Sequence, residues 1–536
     1  MSHSSTYPQT TSMIDKHFIL ATCPAFSHVR SEISLVCKLV AADPHLMFTI
    51  FSAKFFVPNI LKEITRASGT PADSLTRIRV IGAGKQDPPP LGATMDVIGN
   101  MWLVIGEEQS EAYRELVKED SLTCTTTGRT FDYHNIPKPS LVMVDVFVAA
   151  VGPAVKEVTP EVVVVTPWPG VTCSFLSHFG PEEYGGLEDV DVQARAILEK
   201  QGGASYDEIV VSLYNTTNGK LYPNAGGIRM FDYENTPQAT FPVRIPLPIP
   251  VLMGAVRLVN QYSDAAWINA ARSFQPKNVQ VMEDWYGGKL GKKVFYVGPQ
   301  GAPAATADGA GDGSKSRSDV MAFLDAQPPK SVIYISFGTI FYPIEQLWRI
   351  ETLVTTLLET RTPFLFSRAS QMFVPFSPKL EKALAESGGI GMAVDFVPQN
   401  DALDHPSMSA FLTHGGANSM NESILAGVLN IYWPQTADQP LHAAYMTENL
   451  DCAFELIQVR TGVGAGPPAR GGKVEGTPEA VAAEFKQILA DIKGPVGERK
   501  RKNLGAIRQR ILEDMKAGGE CHTAIKGLLD LGTPKK

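Results

Sequence analysis

The chain has 536 residues, too many for one hydrophobic core, so two large domains or several small ones are expected. Hydrophobic residues make up 44%, aromatics 9% and charged residues 19%, which excludes a largely disordered protein. The 48 basic and 56 acidic side chains leave a net charge of -8, which argues against nucleic-acid binding: any phosphate must be held locally.

In chain order, the first sixteen residues are polar, without the apolar stretch that a secretory signal needs. The six cysteines are scattered and form no CxxC pair, as isolated reduced thiols would be. A cytoplasmic location is expected. HFILAT at 17–22 reads as a buried strand, and 29–42 (VRSEISLVCKLVAA) follows it at helical period. Segments 90–135 and 170–285 mix short apolar runs with Pro and Gly, and loops or insertions around a pocket are expected there. Between them, SLVMVDVFVAAV at 140–151 reads as a buried strand interrupted by one charge, Asp145. The most apolar stretch, 241–259, holds two arginines and four prolines and is too broken to span a bilayer.

After the strand-like KVFYVGP comes QGAPAATADGAGDGSKSR at 300–317, a linker by composition. It separates an N-terminal domain, 1–299, from a C-terminal domain, 318–496. The second domain repeats the opening rhythm: SVIYISF at 331–337 is a strand run, and a helical period follows. PFLFS, GMAVDF, SAFLT and LNIYW read as further strands, with helices beginning near Ser377, Asn418 and Asp438 and another over 477–493. Buried strands alternating with amphipathic helices predict an α/β fold with two parallel, doubly wound sheets. Residues 497–536 read as a long polar helix and a short second one.

Two glycine-rich stretches imitate nucleotide loops. GAGDGSKS at 309–316 has Ser314 in place of the second P-loop glycine and no strand before it. Gly464 to Ala469 fits GxGxxA loosely, but its prolines oppose a helix start. The stronger signal is 395–439, DFVPQNDALDHPSMSAFLTHGGANSMNESILAGVLNIYWPQTADQ. A strand ends at His414-Gly415-Gly416, and a helix begins near Asn418 and Ser419. Unpaired amides and a positive dipole end at a helix start bind phosphate without a basic patch. Glu422 shares the helix face of Ser419, where a carboxylate can take two ribose hydroxyls. Both helix starts lie at the carboxyl edge of the sheet, where ligands bind in such folds.

This stretch resembles the donor signature of the family 1 UDP-glycosyltransferases. F-V-P-Q, H-G-G-A-N-S-M-N-E and D-Q stand at the spacing of the family's W-x-P-Q, H-x-G-W-N-S-x-x-E and D-Q. The resemblance implies a GT-B fold: two Rossmann-like domains facing across a cleft, with the C-terminal segment crossing back to the first. It also implies that Phe396 stacks on uracil, that Val397 addresses the uracil edge through its backbone, and that Gln399 and Glu422 hold the ribose. His414, Gly416, Asn418, Ser419 and the Gly338-Thr339 loop would contact the diphosphate, and Asp438 and Gln439 the sugar hydroxyls. Ala417 departs from the plant pattern, which has Trp there, so the sugar is left open.

For an inverting transfer a base must take the acceptor's hydroxyl proton. His28 follows the first strand at a helix start, in Pro24-Ala25-Phe26-Ser27-His28, where the family has P-x-x-G-H. A helix N-terminus disfavours the imidazolium and keeps the ring able to accept a proton. Asp145, in the family's D-x-F as Asp145-Val146-Phe147, would orient it. A buried carboxylate needs such a partner. Phe26, Trp102, Phe147, Trp168, Phe175 and the run 246–259 are candidates for a hydrophobic acceptor pocket. The expected function is transfer of a sugar from a UDP-sugar to a lipophilic small molecule such as a terpenoid, sterol or polyketide, by a monomer needing no metal. A non-catalytic nucleotide-sugar-binding subunit and a UDP-sugar epimerase of the same fold remain as alternatives.

Overall fold

The computed structural model describes residues 14–533 except 68–69, 91–94, 201–202, 240–248, 302–313, 345–346 and 371–372. The chain forms two compact units. One comprises 1–180, 247–306 and 514–536; the other comprises 181–246 and 307–513.

The first unit is built on a seven-stranded parallel sheet. Its order is Ile78–Ala83, Leu46–Ala53, Lys16–Ala21, Leu141–Val144, Val163–Trp168, Ala265–Ile268, Lys293–Tyr296. Every residue of Leu46–Ala53, Leu141–Val144 and Ala265–Ile268 is buried, which explains why these strands are apolar throughout rather than alternating. The strand order reverses beside Lys16–Ala21, whose neighbour on the other side is Leu141–Val144, with Ala21 paired to Val144. That reversal opens a crevice at the carboxyl ends of these two strands.

The second unit repeats the plan with six parallel strands: Gly391–Val394, Phe364–Ser367, Val332–Ser336, Met408–Thr413, Leu429–Tyr432, Ala453–Glu455. Here the reversal falls between Val332–Ser336 and Met408–Thr413, with Ser336 opposite Thr413. Tyr334, Leu365, Phe411 and Val397 pack with Val320 and Leu324 in its core.

The expected strands and helices of the second half are found, with Ser377 capping the helix Pro378–Ala385 by accepting from Leu380 N–H. Three expectations need correction. Segments 90–135 and 170–285 are not mainly loops: they contain the helix Met95–Glu119 and the helices Thr172–Phe179, Glu188–Lys200, Tyr206–Asn215 and Ile249–Tyr262. In Met95–Glu119 the buried Trp102, Ile105, Gln109, Ala112, Tyr113 and Leu116 recur at helical spacing, a period masked in the sequence by Gly99 and Gly106.

Segment 181–246, expected in the N-terminal domain, packs within the second unit. Its buried Glu234 pairs with Arg460 Nη1 at 2.7 Å, Pro237 O accepts from Thr461 N–H at 2.9 Å, and Gln238 Nε2 donates to Pro434 O at 3.2 Å. Third, the helix Ser314–Asp325 begins inside the stretch expected to be linker, of which 302–313 lies outside the described residues. The last helix, Glu520–Leu531, belongs to the first unit: Ser140 Oγ donates to Gly532 O at its end, and Cys521 packs at Gly298. Among the described residues no helix is long and apolar enough to cross a membrane, and all six cysteines are buried, none in a disulfide.

Candidate active site

Chain order brings His28 and Asp145 together at the first unit's reversal. The strand Lys16–Ala21 ends, Thr22 to Ala25 turn outward, and the helix Phe26–Ala42 places His28 in its first turn. The neighbouring strand stops at Val144, so Asp145 stands at its carboxyl end rather than inside it, with its N–H on Ala21 O at 3.0 Å. Asp145 caps the short turn Val146–Val148: its Oδ1 accepts from Phe147 N–H at 2.8 Å. Its Oδ2 lies 2.6 Å from His28 Nδ1. The carboxylate is wholly buried, whereas the imidazole keeps 12% of its side-chain surface exposed. Burial alone would raise the Asp145 carboxyl. The facing His28, and hydrogen bonds from His28, Glu32 and the Phe147 amide, instead hold it below the usual carboxylate range. A charged carboxylate bonded to Nδ1–H leaves the lone pair on Nε2, the state a base requires.

The aromatic candidates separate into two groups. Phe147 stacks on His28 at 4.8 Å between ring centroids, and Trp102 stacks on Phe147 at 4.3 Å. Trp168 instead packs edge to face on Phe175 and on Phe179 in the core. His17, inside the first strand, is a core histidine. Its Nε2 lies 2.9 Å from Thr49 Oγ1, it stacks on Tyr133, and burial pushes it down to about 3.

Sequence reasoning missed Glu32, one helical turn beyond His28. Only 1% exposed, it accepts from Thr22 Oγ1, and Gln109 Nε2 donates to Thr22 O at 2.9 Å. Its signal was available: Val29, Glu32, Val36 and Leu39 share the buried face of the helix, and Glu32 alone among them is charged. Cys23 Sγ, His28 and Asp145 also offer ligand atoms within 4.8 Å of one another. Burial, then Asp145 and Glu32, push that thiol well above its ordinary range, which opposes the thiolate a metal would need.

The second unit's reversal carries the other candidate residues. Gly338 and Thr339 follow the strand Val332–Ser336, and His414 follows Met408–Thr413. The His414 ring is held between two backbones. A Cβ at Gly416 would stand 2.6 Å from its Nε2, and one at Gly338, where φ is +76°, would stand 2.8 Å from its Cε1. Burial pushes His414 down to about 4, against the upward pull of Asp438, so the ring is neutral at pH 7. The helix Ala417–Ala426 opens at Gly416 with no side-chain cap, and Asn418 and Ser419 stand in its first turn.

Gln399 begins the helix Gln399–Leu403 and ties the site together. Its Oε1 accepts from Tyr334 O–H at 3.1 Å, and its Nε2 donates to Glu422 Oε2 at 2.5 Å and to Ser419 Oγ at 3.3 Å. Phe396 is 51% exposed while the Val397 side chain is buried in the core, which leaves Val397 only its backbone to offer. Asp438 precedes the helix Gln439–Ala444, after Ala437, whose φ of +59° is a strained conformation for a non-glycine residue. Gln439 is buried, with Oε1 accepting from the amides of Gln435 and Thr436, so its NH2 is the end left for a ligand. His442, which sequence reasoning also missed, donates from Nδ1 to Gly415 O at 2.9 Å, and its Nε2 is 3.5 Å from Asp438 Oδ2.

Residues 310–461 match the family model described as UDP-glucoronosyl and UDP-glucosyl transferase. UDP-glycosyltransferase eriJ of Hericium erinaceus is 28% identical over 347 residues, 61% of this chain and 66% of that one. UDP-glycosyltransferase 84A1 of Arabidopsis thaliana is 36% identical over 220 residues, 39% of this chain and 41% of that one. The matches thus span less than two thirds of these relatives. Among solved structures, Medicago truncatula UGT71G1 complexed with UDP-glucose aligns over 97% of this chain and 98% of that one, with a TM-score of 0.70 and 19% identity. A transferase from Siraitia grosvenorii in complex with UDP aligns over 97% and 100%, with a TM-score of 0.68 and 16% identity. The chain thus has the GT-B fold of two Rossmann-like units, and residues 310–461, which hold the motif at the second reversal, are similar to the UDP-glucoronosyl and UDP-glucosyl transferases.

Proposed function

We propose that the protein transfers a sugar from a UDP-sugar to a hydroxyl of a lipophilic small molecule, with inversion at the anomeric carbon. The observation that carries this reading is the His28–Asp145 pair, 2.6 Å apart, with Asp145 fully buried and His28 partly open. His28 Nε2 takes the proton of the acceptor hydroxyl as its oxygen attacks the anomeric carbon. Asp145 holds the ring and stabilises the imidazolium, and UDP leaves with the electron pair of the broken bond. Trp102 and Phe147, stacked beside His28, give the acceptor an apolar wall, which supports a terpenoid-, sterol- or polyketide-like acceptor over a polar one.

On the donor side, Phe396 offers its exposed face to uracil and the Gln399–Glu422 pair its oxygens to ribose. The uncapped amides after Gly416, with Asn418, Ser419, neutral His414 and the Gly338-Thr339 loop, receive the diphosphate. Asp438 and the Gln439 NH2 address the sugar. In this reading the diphosphate is neutralised by amide dipoles, and the step needs no metal. The six buried cysteines, none of them in a disulfide, support a reducing compartment. Mass spectrometry of lipophilic acceptors incubated with UDP-glucose, UDP-xylose and UDP-N-acetylglucosamine tests the reading. A product heavier by one sugar is expected, and UDP-sugar conversion without any acceptor would overturn it.

A further inference from the structure

Two buried carboxyls stand within hydrogen-bonding reach of one another: Asp145, on His28 Nδ1, and Glu32, one helical turn beyond His28. Asp145 is committed as an anion, with Oδ2 on His28 Nδ1 and Oδ1 on the Phe147 amide. Glu32 Oε2 accepts from Thr22 Oγ1, and its buried Oε1 has no well-formed hydrogen bond of its own. The groups around them are few. Cys23 just after the first strand is a neutral thiol, Gln109 from the helix Met95–Glu119 is neutral and occupied with Thr22 O, and His28 faces Asp145 through Nδ1–H. Two carboxylates cannot both stay ionised in such a pocket beside a single imidazole.

We propose that Glu32 is a protonated carboxylic acid that donates its proton in a hydrogen bond to Asp145, making it a positioning residue that sets the pH range over which the His28–Asp145 pair works. Burial, the Asp145 charge and the hydrogen bond with Asp145 push Glu32 well above the usual carboxylate range, in keeping with this. The chain of donors runs Thr22 O–H to Glu32, Glu32 O–H to Asp145, and His28 Nδ1–H to Asp145. The acid contributes a third donor to the Asp145 anion, which keeps it ionised at lower pH. As an uncharged group it does so without adding a second negative charge beside the base.

The inference rests on His28 acting as the base, and the experiment separates the two. The pH profile of kcat/KM for sugar transfer is measured for the full-length protein and for Glu32→Leu and Glu32→Gln, with His28→Ala as the control on the reading itself. Removing the donor in Glu32→Leu leaves the Asp145 anion less stabilised. The less stabilised anion attracts a proton more strongly, so the acid limb of the profile moves up by about one pH unit. Glu32→Gln keeps a neutral donor toward Asp145 and an acceptor for Thr22, and the limb stays at the wild-type position. A merely structural role would lower kcat/KM at all pH values without moving the limb.

If Glu32 were ionised, Glu32→Gln would delete a charge and move the limb downward, which overturns the proposal even if Glu32→Leu does not fold. Infrared difference spectra of wild type against Glu32→Gln give a second readout. The carbonyl band of a protonated carboxyl is expected in the wild type, and a carboxylate band in its place overturns the proposal. Transfer persisting in His28→Ala would instead sink the underlying reading.

Discussion

Replacing Asp145 with asparagine removes one charge and keeps the shape, and the structure says how the amide must sit. Oδ1 accepts from Phe147 N–H at 2.8 Å, so the oxygen of the new amide stays there and its NH2 turns toward His28 Nδ1. A ring facing an NH2 group must accept at Nδ1. Its proton then sits on Nε2, the nitrogen that has to take the acceptor's proton. Turning the amide over would give up the Phe147 bond and set N–H against N–H, costing about 2–5 kcal/mol, or roughly 30- to 5,000-fold in the productive tautomer. A fall of about that size in kcat/KM is expected from initial rates of glycoside formation at pH 7. UDP affinity by calorimetry should be unchanged, because Asp145 lies in the unit without the donor motif. Activity within about fivefold of wild type would refute the tautomer argument.

Other outcomes follow from the same geometry. Phe396→Ala should weaken UDP binding by about 1–3 kcal/mol, the worth of base stacking on an aromatic face, with an unchanged urea midpoint because the ring is 51% exposed. Gly416→Ala adds no backbone strain, since its φ is −61°, but its Cβ meets His414 Nε2 at 2.6 Å and the ring is held on its other side by Gly338; a loss of UDP affinity by calorimetry is expected together with a lower urea midpoint. Arg460→Met removes the charge partner of the buried Glu234 and one of the two that hold Glu455, which keeps Arg470, and should destabilise the second unit by about 3–5 kcal/mol in urea denaturation. His17 and His414, held at about 3 and about 4, bind protons in the unfolded chain before the folded one. Stability should therefore fall below pH 6.5 by about 1.4 kcal/mol per pH unit for each, and His17→Gln should flatten that slope.

Strands buried on both faces were easy to read, because HFILAT and SVIYISF can be nothing but apolar. The motif around His414 was legible because its residues stand at fixed spacing along one strand, turn and helix. Asp145 was legible as a charge interrupting an apolar run, although the strand ends one residue before it. What could not be read is what depends on tertiary partners. Segment 181–246 joins the second unit through Glu234, whose partner Arg460 lies 226 residues away. Phe147 stands against His28 with Trp102 stacked on it, whereas Trp168 and Phe175 pack with each other, and no local pattern distinguishes the two pairs. Glu32 was hidden by its own burial, since a charge on an apolar helix face looks like an error in the period until its partner is seen.

The central claim is that His28 is the base for sugar transfer, and the initial rate of glycoside formation by His28→Ala at saturating UDP-sugar tests it most directly. The account predicts a loss of more than about 100-fold with UDP binding intact. Turnover at the wild-type rate would contradict it.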